Sequence, residues 1–554
     1  MAKVYINDKE IDIGTERLNL VEAAQRAGVE IPHYCWHPAL TVVASCRMCL
    51  VEVGEKKPDG STSMMPKVVP ACQTPAKDGT VCLTESENTR FAQKQVLEAL
   101  LLDHPLDCPV CDKAGECLLQ DYSYHYGHAH SRMLEEKEQP PNKPDLGPNV
   151  SLFTDRCIMC SRCVRFTREI SGEAELQIVD RGSHAEIDVF PGQPLDNKLS
   201  SNVVDLCPVG ALCSNDFLYK QRVWFLKEKE SVCPDCSTGC SIHVDANKDI
   251  LYRLRPRTNL QAQGHFMCDD GRLGYHYVND DHRLHEPTVK SGNGQKRSWP
   301  EILTAIRGEL KSAAAKEPTK IAGMLSPFLT CEEAFLFAKF LKGLSSEAKL
   351  YLGPVPVVGS DDTYPKDRRG QPTEHVKFTI RAEKCPNRKG IEAILRHFQG
   401  DVLDFQALLH EAGNDQVHAL YMAAGYPPRE PGWIPADWAK ALDKVPLLIV
   451  QDLFASPATE KARYVLPASS FAEKEGTFVN HAGLAQAIHA VCQPRGERRG
   501  DARIFMELLE RRGLFHAPTI RKELAAEISY FAAMTEDLGS HGVFLEKQAV
   551  PGQA

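Results

Sequence analysis

The sequence predicts a chain in two halves: an α+β N-terminal half organised around metal sites, and an α/β C-terminal half built on a parallel sheet. Three observations carry this reading. Seventeen of the twenty cysteines lie before residue 270, many of them separated by two-residue gaps. The first 30 residues read as a hairpin and a helix that lead into the first of these cysteines. Beyond about residue 286, helical patterns alternate with short apolar strands, which implies a parallel sheet with helices on both faces.

At 554 residues the chain has room for about three to five domains. Its hydrophobic share of 43% and charged share of 25% are those of an ordinary globular protein. No apolar run approaches the roughly 18–20 residues that span a bilayer, and the N-terminus has no signal-peptide core. A cytoplasmic chain is expected, reaching a membrane only through a partner. The net charge of −9 argues against nucleic acid. A reducing compartment disfavours disulfides, so clustered cysteines are read as metal ligands. Cys331, Cys385 and Cys492 stand alone and read as small buried hydrophobes.

The hairpin is formed by Val4-Tyr5-Ile6 and Ile11-Asp12-Ile13 around Asn7-Asp8-Lys9. Leu20, Ala23, Ala24 and Ala27 then recur at helical spacing, and Gly28 ends the helix. Cys35, Cys46 and Cys49 follow in one long loop, with Cys72 favoured over Cys82 as the fourth ligand. A strand–helix–cysteine-loop order points to a β-grasp, ferredoxin-like [2Fe–2S] module; zinc would call for two paired knuckles, and only one is present.

A helical stretch over 91–102 leads to the second set, His104, Cys108, Cys111 and Cys117. Three cysteines leave a four-coordinate cluster one ligand short, and His104 is separated from Cys108 only by Pro105-Leu106-Asp107. Neutral imidazole in place of thiolate raises a cluster's potential, whereas zinc in a Cys3His site is the rival on this segment. A proline-rich linker at 139–144 separates the third set, Cys157, Cys160, Cys163 and Cys207. The C-x2-C-x2-C run presents three thiolates to three corners of a [4Fe–4S] cube, and Cys207-Pro208 closes it as in bacterial ferredoxins, with Cys213 spare. Arg156, Arg162, Arg165 and Arg168 flank this set, either to raise its potential or as a solvated or partner-facing basic surface. The fourth set is Cys233, Cys236, Cys240 and Cys268, in a segment of β-like alternation, again with zinc as rival. Four sets of four ligands in series read as an electron-carrying row of clusters.

In the second half, helices are predicted over 301–312, 332–342 and 389–398, and strands over 320–324, 349–352, 417–422 and 447–450. No G-x-G-x-x-G, G-x4-G-K-[ST], nucleophile elbow or H-E-x-x-H occurs, so no NAD, ATP or hydrolytic site is expected.

The segments Ile31-Pro32-His33-Tyr34-Cys35, Ser45-Cys46-Arg47-Met48-Cys49, Pro70-Ala71-Cys72, His104 to Cys117, Asp155-Arg156-Cys157 and Cys207-Pro208-Val209-Gly210 together resemble the large iron–sulfur subunit of respiratory complex I, NADH:quinone oxidoreductase. The resemblance implies Cys72 rather than Cys82 as fourth [2Fe–2S] ligand, His104 as a true ligand, and a fourth cluster that only some members carry. It implies relay of electrons from an NADH- and flavin-binding subunit towards a quinone-reducing module, with proton translocation in the whole complex. It places the chain as a peripheral subunit on the cytoplasmic face of the inner membrane. Residues 226–554 resemble a truncated molybdopterin oxidoreductase fold, through the stretch from Leu466-Pro467-Ala468 to Phe478-Val479-Asn480. The stretch departs at Ala482-Gly483-Leu484, and no Cys-His-x-Pro segment offers a molybdenum ligand, so a scaffold without pterin is expected. The alternatives are a subunit of an NAD-linked formate dehydrogenase or hydrogenase, and a structural zinc protein. The expected domains are 1–83 for [2Fe–2S], 84–138, 139–225 and 226–285 for three [4Fe–4S] sites, and 286–554 for the scaffold.

Overall fold

The computed structural model describes residues 2–290, 298–373, 378–535 and 537–546. The chain forms two compact units, Met1–Phe225 with Tyr364–Val376, and Leu226–Thr363 with Lys377–Ala554.

The first unit begins with the hairpin Ala2–Ile6 and Lys9–Gly14. Strand Ala2–Ile6 also pairs in parallel with Thr80–Leu83, which pairs antiparallel with Leu50–Lys56. Helix Leu20–Arg26 buries Leu20, Val21, Ala23 and Ala24 in the core under this sheet. Its start is set by Asn19, whose side chain accepts from Glu22 N–H while Glu22 accepts from Asn19 N–H, a reciprocal capping box. This is the predicted β-grasp order. The loop from residue 27 to 49 is thereby hung between a capped helix and a central strand.

Beyond it, helix Glu87–Leu101 precedes the second cysteine set, and helix Leu118–Tyr126 starts directly after Cys117. The third set surrounds the short helix Arg162–Phe166 and the turn after Asn202–Leu206. The segment Tyr364–Val376 belongs to this unit: Lys366 N–H donates to Ile170 O at 3.0 Å. Nothing in the local sequence of that segment signals this long-range placement.

The second unit opens with a three-stranded antiparallel sheet, Lys227–Val232, Ser241–Asn247 and Ile250–Pro256. Its main sheet runs Tyr464–Pro467, Leu447–Asp452, Ala419–Ala423, Ile321–Leu325, Lys349–Leu352, all parallel. Thr288–Val289 adds an antiparallel edge. Four of the five parallel strands are those predicted. The fifth, Tyr464–Pro467, is not among the predicted strands; it has four residues and ends in proline. The strands Ile321–Leu325, Ala419–Ala423 and Leu447–Asp452 are buried along their whole length, as expected for a sheet covered on both faces. Helices Trp299–Lys316, Cys331–Leu344 and Arg388–Gln399 pack into one apolar core, and Phe405–Gly413 with Pro457–Lys461 into another.

Candidate metal centres

The first set is carried by the loop between helix Leu20–Arg26 and strand Leu50–Lys56, with Cys72 just past strand Val69–Pro70. That short strand pairs with Leu50 and Val51, and so brings Cys72 back beside Cys49. The backbone N–H of Cys35 lies 3.5 Å from Cys46 Sγ. The thiols of Cys35 and Cys46, Cys35 and Cys72, and Cys49 and Cys72 hydrogen-bond one another; this crowding draws Cys35 and Cys49 below the ordinary thiol range and pushes Cys46 and Cys72 above it. Four thiols that share protons in this way need cations in place of those protons to be deprotonated together. Cys82 lies elsewhere, on strand Thr80–Leu83 in the apolar core, its thiol pushed up to about 12 by burial alone.

In the second set, Cys111 and Cys117 are buried and Cys108 is half-buried. His104 is held by its surroundings as neutral imidazole: burial draws it down to about 4. Its Nδ1 is buried and finds no hydrogen-bond partner among the described residues. An unpaired buried ring nitrogen is costly unless it has a partner, which fits a metal ligand better than a core histidine.

The third set lines a small cavity of about 20 Å³, with Cys157, Cys160, Cys163 and Cys207 among walls that include Leu152 and Ile187. Left-handed backbone at Met159 (φ 50°) and Ser161 (φ 60°) turns the chain on either side of Cys160. Burial pushes Cys160 up to about 11 and Cys157 up to about 12. Cys213, the spare, is absent from this lining and instead lies with Sγ 3.6 Å from Gly210 O.

The three sets of this unit are neighbours. Leu118 N–H, next to Cys117, donates to Pro208 O, next to Cys207, at 3.0 Å. A Cβ on Gly210 would collide with Cys111 Sγ, so glycine is required where the Cys-Pro-Val-Gly turn meets the second set. Tyr34 packs on Tyr122, with ring centroids 5.3 Å apart, and Tyr122 Oη–H donates to Glu30 at 3.0 Å, which ties the first loop to the helix behind Cys117.

Of the four flanking arginines, only Arg168 is exposed. Arg156 is buried and bridges to Asp107 of the second set, Nη2 to Oδ2 at 2.5 Å. Arg162 and Arg165 are buried against the first loop, so a solvated basic surface is not what these residues form. Sequence spacing showed the arginines as a group but not that three of them point inward.

The fourth set belongs to the second unit. Cys233, Cys236 and Cys240 lie in the connection between strands Lys227–Val232 and Ser241–Asn247, and Cys268 caps helix Asp269–Leu273, accepting from Gly271 N–H at 3.4 Å. All four are buried, and burial raises each thiol. A Cβ on Gly271 would stand 2.8 Å from Cys233 Sγ and 3.4 Å from Cys268 Sγ, so this glycine lets the two ends of the set close on each other. Asp235 beside the set is paired with Arg429 at 2.5 Å and lies 3.7 Å from Lys384 Nζ. Among the described residues no three His, Cys, Asp or Glu side chains converge on a site for a single ion.

Near the carboxyl ends of the parallel strands, where open α/β sheets hold their ligands, several of the chain's own side chains pair with one another. Trp433 Nε1–H donates to Asp452 at 2.9 Å and stacks on Tyr426, whose hydroxyl donates to Pro354 O at 2.9 Å. Lys474 is buried between Glu333 at 2.9 Å and Asp501 at 3.3 Å, and Arg283 is fully buried against Glu473 at 2.6 Å. Cys331, Cys385 and Cys492 are buried, as their isolation predicted.

Residues 1–87 match the family described as a 2Fe-2S iron-sulfur cluster binding domain, and 93–132 the NADH-ubiquinone oxidoreductase-G iron-sulfur binding region. Residues 147–213 match the ferredoxin-like domain of NADH-quinone oxidoreductase subunit 3, 226–280 the molybdopterin oxidoreductase Fe4S4 domain, and 283–373 with 405–511 molybdopterin oxidoreductase. The G-type subunit of NADH-quinone oxidoreductase from Rickettsia felis is 36% identical over 347 residues, which is 62% of this chain and 50% of that protein. The NADH-ubiquinone oxidoreductase 75 kDa subunit of Reclinomonas americana is 34% identical over 371 residues, 66% of this chain and 51% of that one. The mitochondrial NADH dehydrogenase [ubiquinone] iron-sulfur protein 1 of Solanum tuberosum is 37% identical over 328 residues, 59% and 43% of the two chains. The chain thus spans about half the length of the curated relatives it matches. A chain from a crystal structure of NAD+-reducing [NiFe]-hydrogenase in the H2-reduced state aligns at 27% identity over 40% of this chain and 91% of that one, with a TM-score of 0.34, too low to bear on the fold. By domain order and by sequence, the chain is similar to the large iron–sulfur subunits, the G-type or 75 kDa subunits, of NADH-quinone oxidoreductase.

Proposed function

We propose that this chain is an electron-relay subunit of a complex I-type NADH:quinone oxidoreductase. In this reading Cys35, Cys46, Cys49 and Cys72 hold a [2Fe–2S] cluster. Three [4Fe–4S] clusters are held by His104 with Cys108, Cys111 and Cys117; by Cys157, Cys160, Cys163 and Cys207; and by Cys233, Cys236, Cys240 and Cys268. When bound, the clusters supply one-electron redox chemistry, so the chain needs no acid, base or nucleophile of its own. The residues do the rest. They exclude water from the thiols, keep His104 unprotonated, and bring the first three sets into contact through hydrogen bonds beside their ligands.

The observation that carries the reading is the gathering of the four thiols of the third set around one apolar-walled cavity, hydrogen-bonded to a second set and a first. The partners would be an NADH- and flavin-binding subunit on one side and a quinone-reducing module on the other. Membrane association would come through those partners, since no described helix is long and apolar enough to cross a membrane. The second half serves as a scaffold in this reading, which is supported by the lack of a Cys-His-x-Pro segment in the sequence and by the side chains that pair with one another near the strand ends.

Metal and sulfide analysis of the full chain purified without oxygen tests this. About fourteen iron atoms per chain are expected when all four sites are loaded. Stoichiometric zinc would remove a cluster from the His104 or Cys233 set, and stoichiometric molybdenum would overturn the scaffold reading.

A further inference from the structure

Arg162 and Arg165 are buried cations with neutral partners. Arg165 donates through Nη1 to Thr41 O at 2.5 Å, through Nη2 to Cys35 O and to Cys160 O, and through Nε to Ser161 Oγ at 3.3 Å. Arg162 donates through Nη2 to Trp36 O at 2.5 Å and through Nη1 to Leu206 O at 3.3 Å. Neither pairs with a carboxylate among the described residues. A carboxylate does stand close by, but Glu169 is engaged by Thr41 N–H at 2.8 Å and Thr41 Oγ–H at 2.6 Å.

An isolated charge taken out of water costs several kcal/mol, so buried charges are found paired. Both guanidiniums lie instead on the backbone of the ligand loops, against the carbonyls of Cys35 and Trp36 from the first set's loop and of Cys160 and Leu206 beside the third set. The bridge also has a specific shape: Nη2 of Arg165 touches the carbonyls of Cys35 and Cys160, one residue from each set. Arg162 repeats the pattern one position along, from Trp36 next to Cys35 to Leu206 next to Cys207. The guanidinium reaches Cys35 O, Cys160 O, Thr41 O and Ser161 Oγ together through three nitrogens held in one plane, whereas an ammonium donates from a single nitrogen.

We propose that Arg165, supported by Arg162, is a shared positioning residue that couples the redox potentials of the first and third cluster sites. This rests on the reading of those two sets as [2Fe–2S] and [4Fe–4S] ligands. Reduction adds negative charge to either cluster. One cation lying between both favours the reduced state of each, and its hydrogen bonds hold the two ligand loops in register. Removing it lowers both potentials together, which distinguishes this role from a local one at a single set.

The test is a redox titration followed by electron paramagnetic resonance on the full chain purified without oxygen, for the unaltered protein, Arg165→Gln, Arg165→Lys and Arg168→Gln. Arg168 is exposed on the same segment and controls for charge at a distance. With iron and sulfide content unchanged, Arg165→Gln is expected to lower the midpoints of the [2Fe–2S] signal and of one [4Fe–4S] signal by about tenfold in reduced-to-oxidised ratio, ~59 mV each for one electron. Arg165→Lys keeps the charge but loses the fork, and is expected to shift both signals the same way by less. Arg168→Gln is expected to move neither. A shift confined to one signal, or none in the loaded Arg165→Gln and Arg165→Lys chains, overturns the coupling. If Arg165→Gln loses its iron, Arg165→Lys alone decides on the same criterion. An unaltered chain with no iron in either set would overturn the cluster reading itself, and would be seen before any potential was compared.

Discussion

At the scale of single residues, the choice between Cys72 and Cys82 shows how one thiol becomes a ligand candidate. Both are buried, and they lie ten positions apart. Only Cys72 stands within hydrogen-bond reach of Cys35 and Cys49. Cys82 lies buried on a strand paired with Ile6, and burial alone acts on its thiol. Cys72→Ser is therefore expected to abolish the [2Fe–2S] absorption and remove about two iron atoms per chain, while Cys82→Ser leaves both unchanged. Iron analysis with visible spectroscopy checks this; equal loss in the two variants would refute the assignment. The spacing rules made Cys35, Cys46 and Cys49 legible because those residues share one loop. They left the fourth place open because it depends on strand pairing across about 20 residues of intervening chain.

At the scale of elements, the strand Leu447–Asp452 ends in a buried carboxyl that illustrates how the scaffold half is built. Asp452 accepts from Trp433 Nε1–H, from Leu453 N–H at 2.8 Å and from Ser456 Oγ–H at 3.3 Å, yet burial still raises it from 3.8 to about 7. Its folded value thus lies above its unfolded one. Between the two values the folded chain holds a proton that the unfolded chain has released. The stabilisation is complete below about 3.8 and is lost as pH rises through about 7. Asp452→Asn does not titrate, so its stability deficit relative to the unaltered chain should be larger at pH 5 than at pH 8. Denaturant unfolding of the second unit at both pH values measures it, and a deficit that stays constant or grows would contradict the assignment. The parallel sheet itself was readable from alternation, since strands buried on both faces are short apolar runs. The buried charges around Lys474 and Arg283 were not, because each charge is tolerable only beside a partner distant in sequence: Glu473 lies 190 residues from Arg283.

At the scale of the whole molecule, the two compact units follow the chain with one exception, the segment Tyr364–Val376, which joins the first unit from within the second half of the sequence. The approach is close. A Cβ on Gly172 would lie 2.6 Å from Asp367 O and 2.7 Å from Lys366 O, and Gly172 has φ +83°. Replacing residues 366–372 by a glycine–serine linker in the full chain removes that packing and one backbone hydrogen bond, worth about 1 kcal/mol. The thermal transition of the first unit, followed by bleaching of its cluster absorption, is expected to fall by about 2–4 °C. No change would mean that the segment lies on the unit without supporting it.

The sequence by itself determined the candidate ligands: four sets of Cys and His, their hairpin–helix entry and the alternating second half are encoded in spacings of a few residues, where chain geometry leaves little freedom. Tertiary structure decided what those spacings leave open. It brought Cys72 rather than Cys82 within hydrogen-bond reach of Cys35 and Cys49, put the third set in hydrogen-bonded contact with both the first and the second, turned three arginines inward, and paired buried charges near the strand ends. All of these depend on contacts between residues far apart in the chain, which are set by packing and by the need to pair every buried charge, and neither leaves a local pattern.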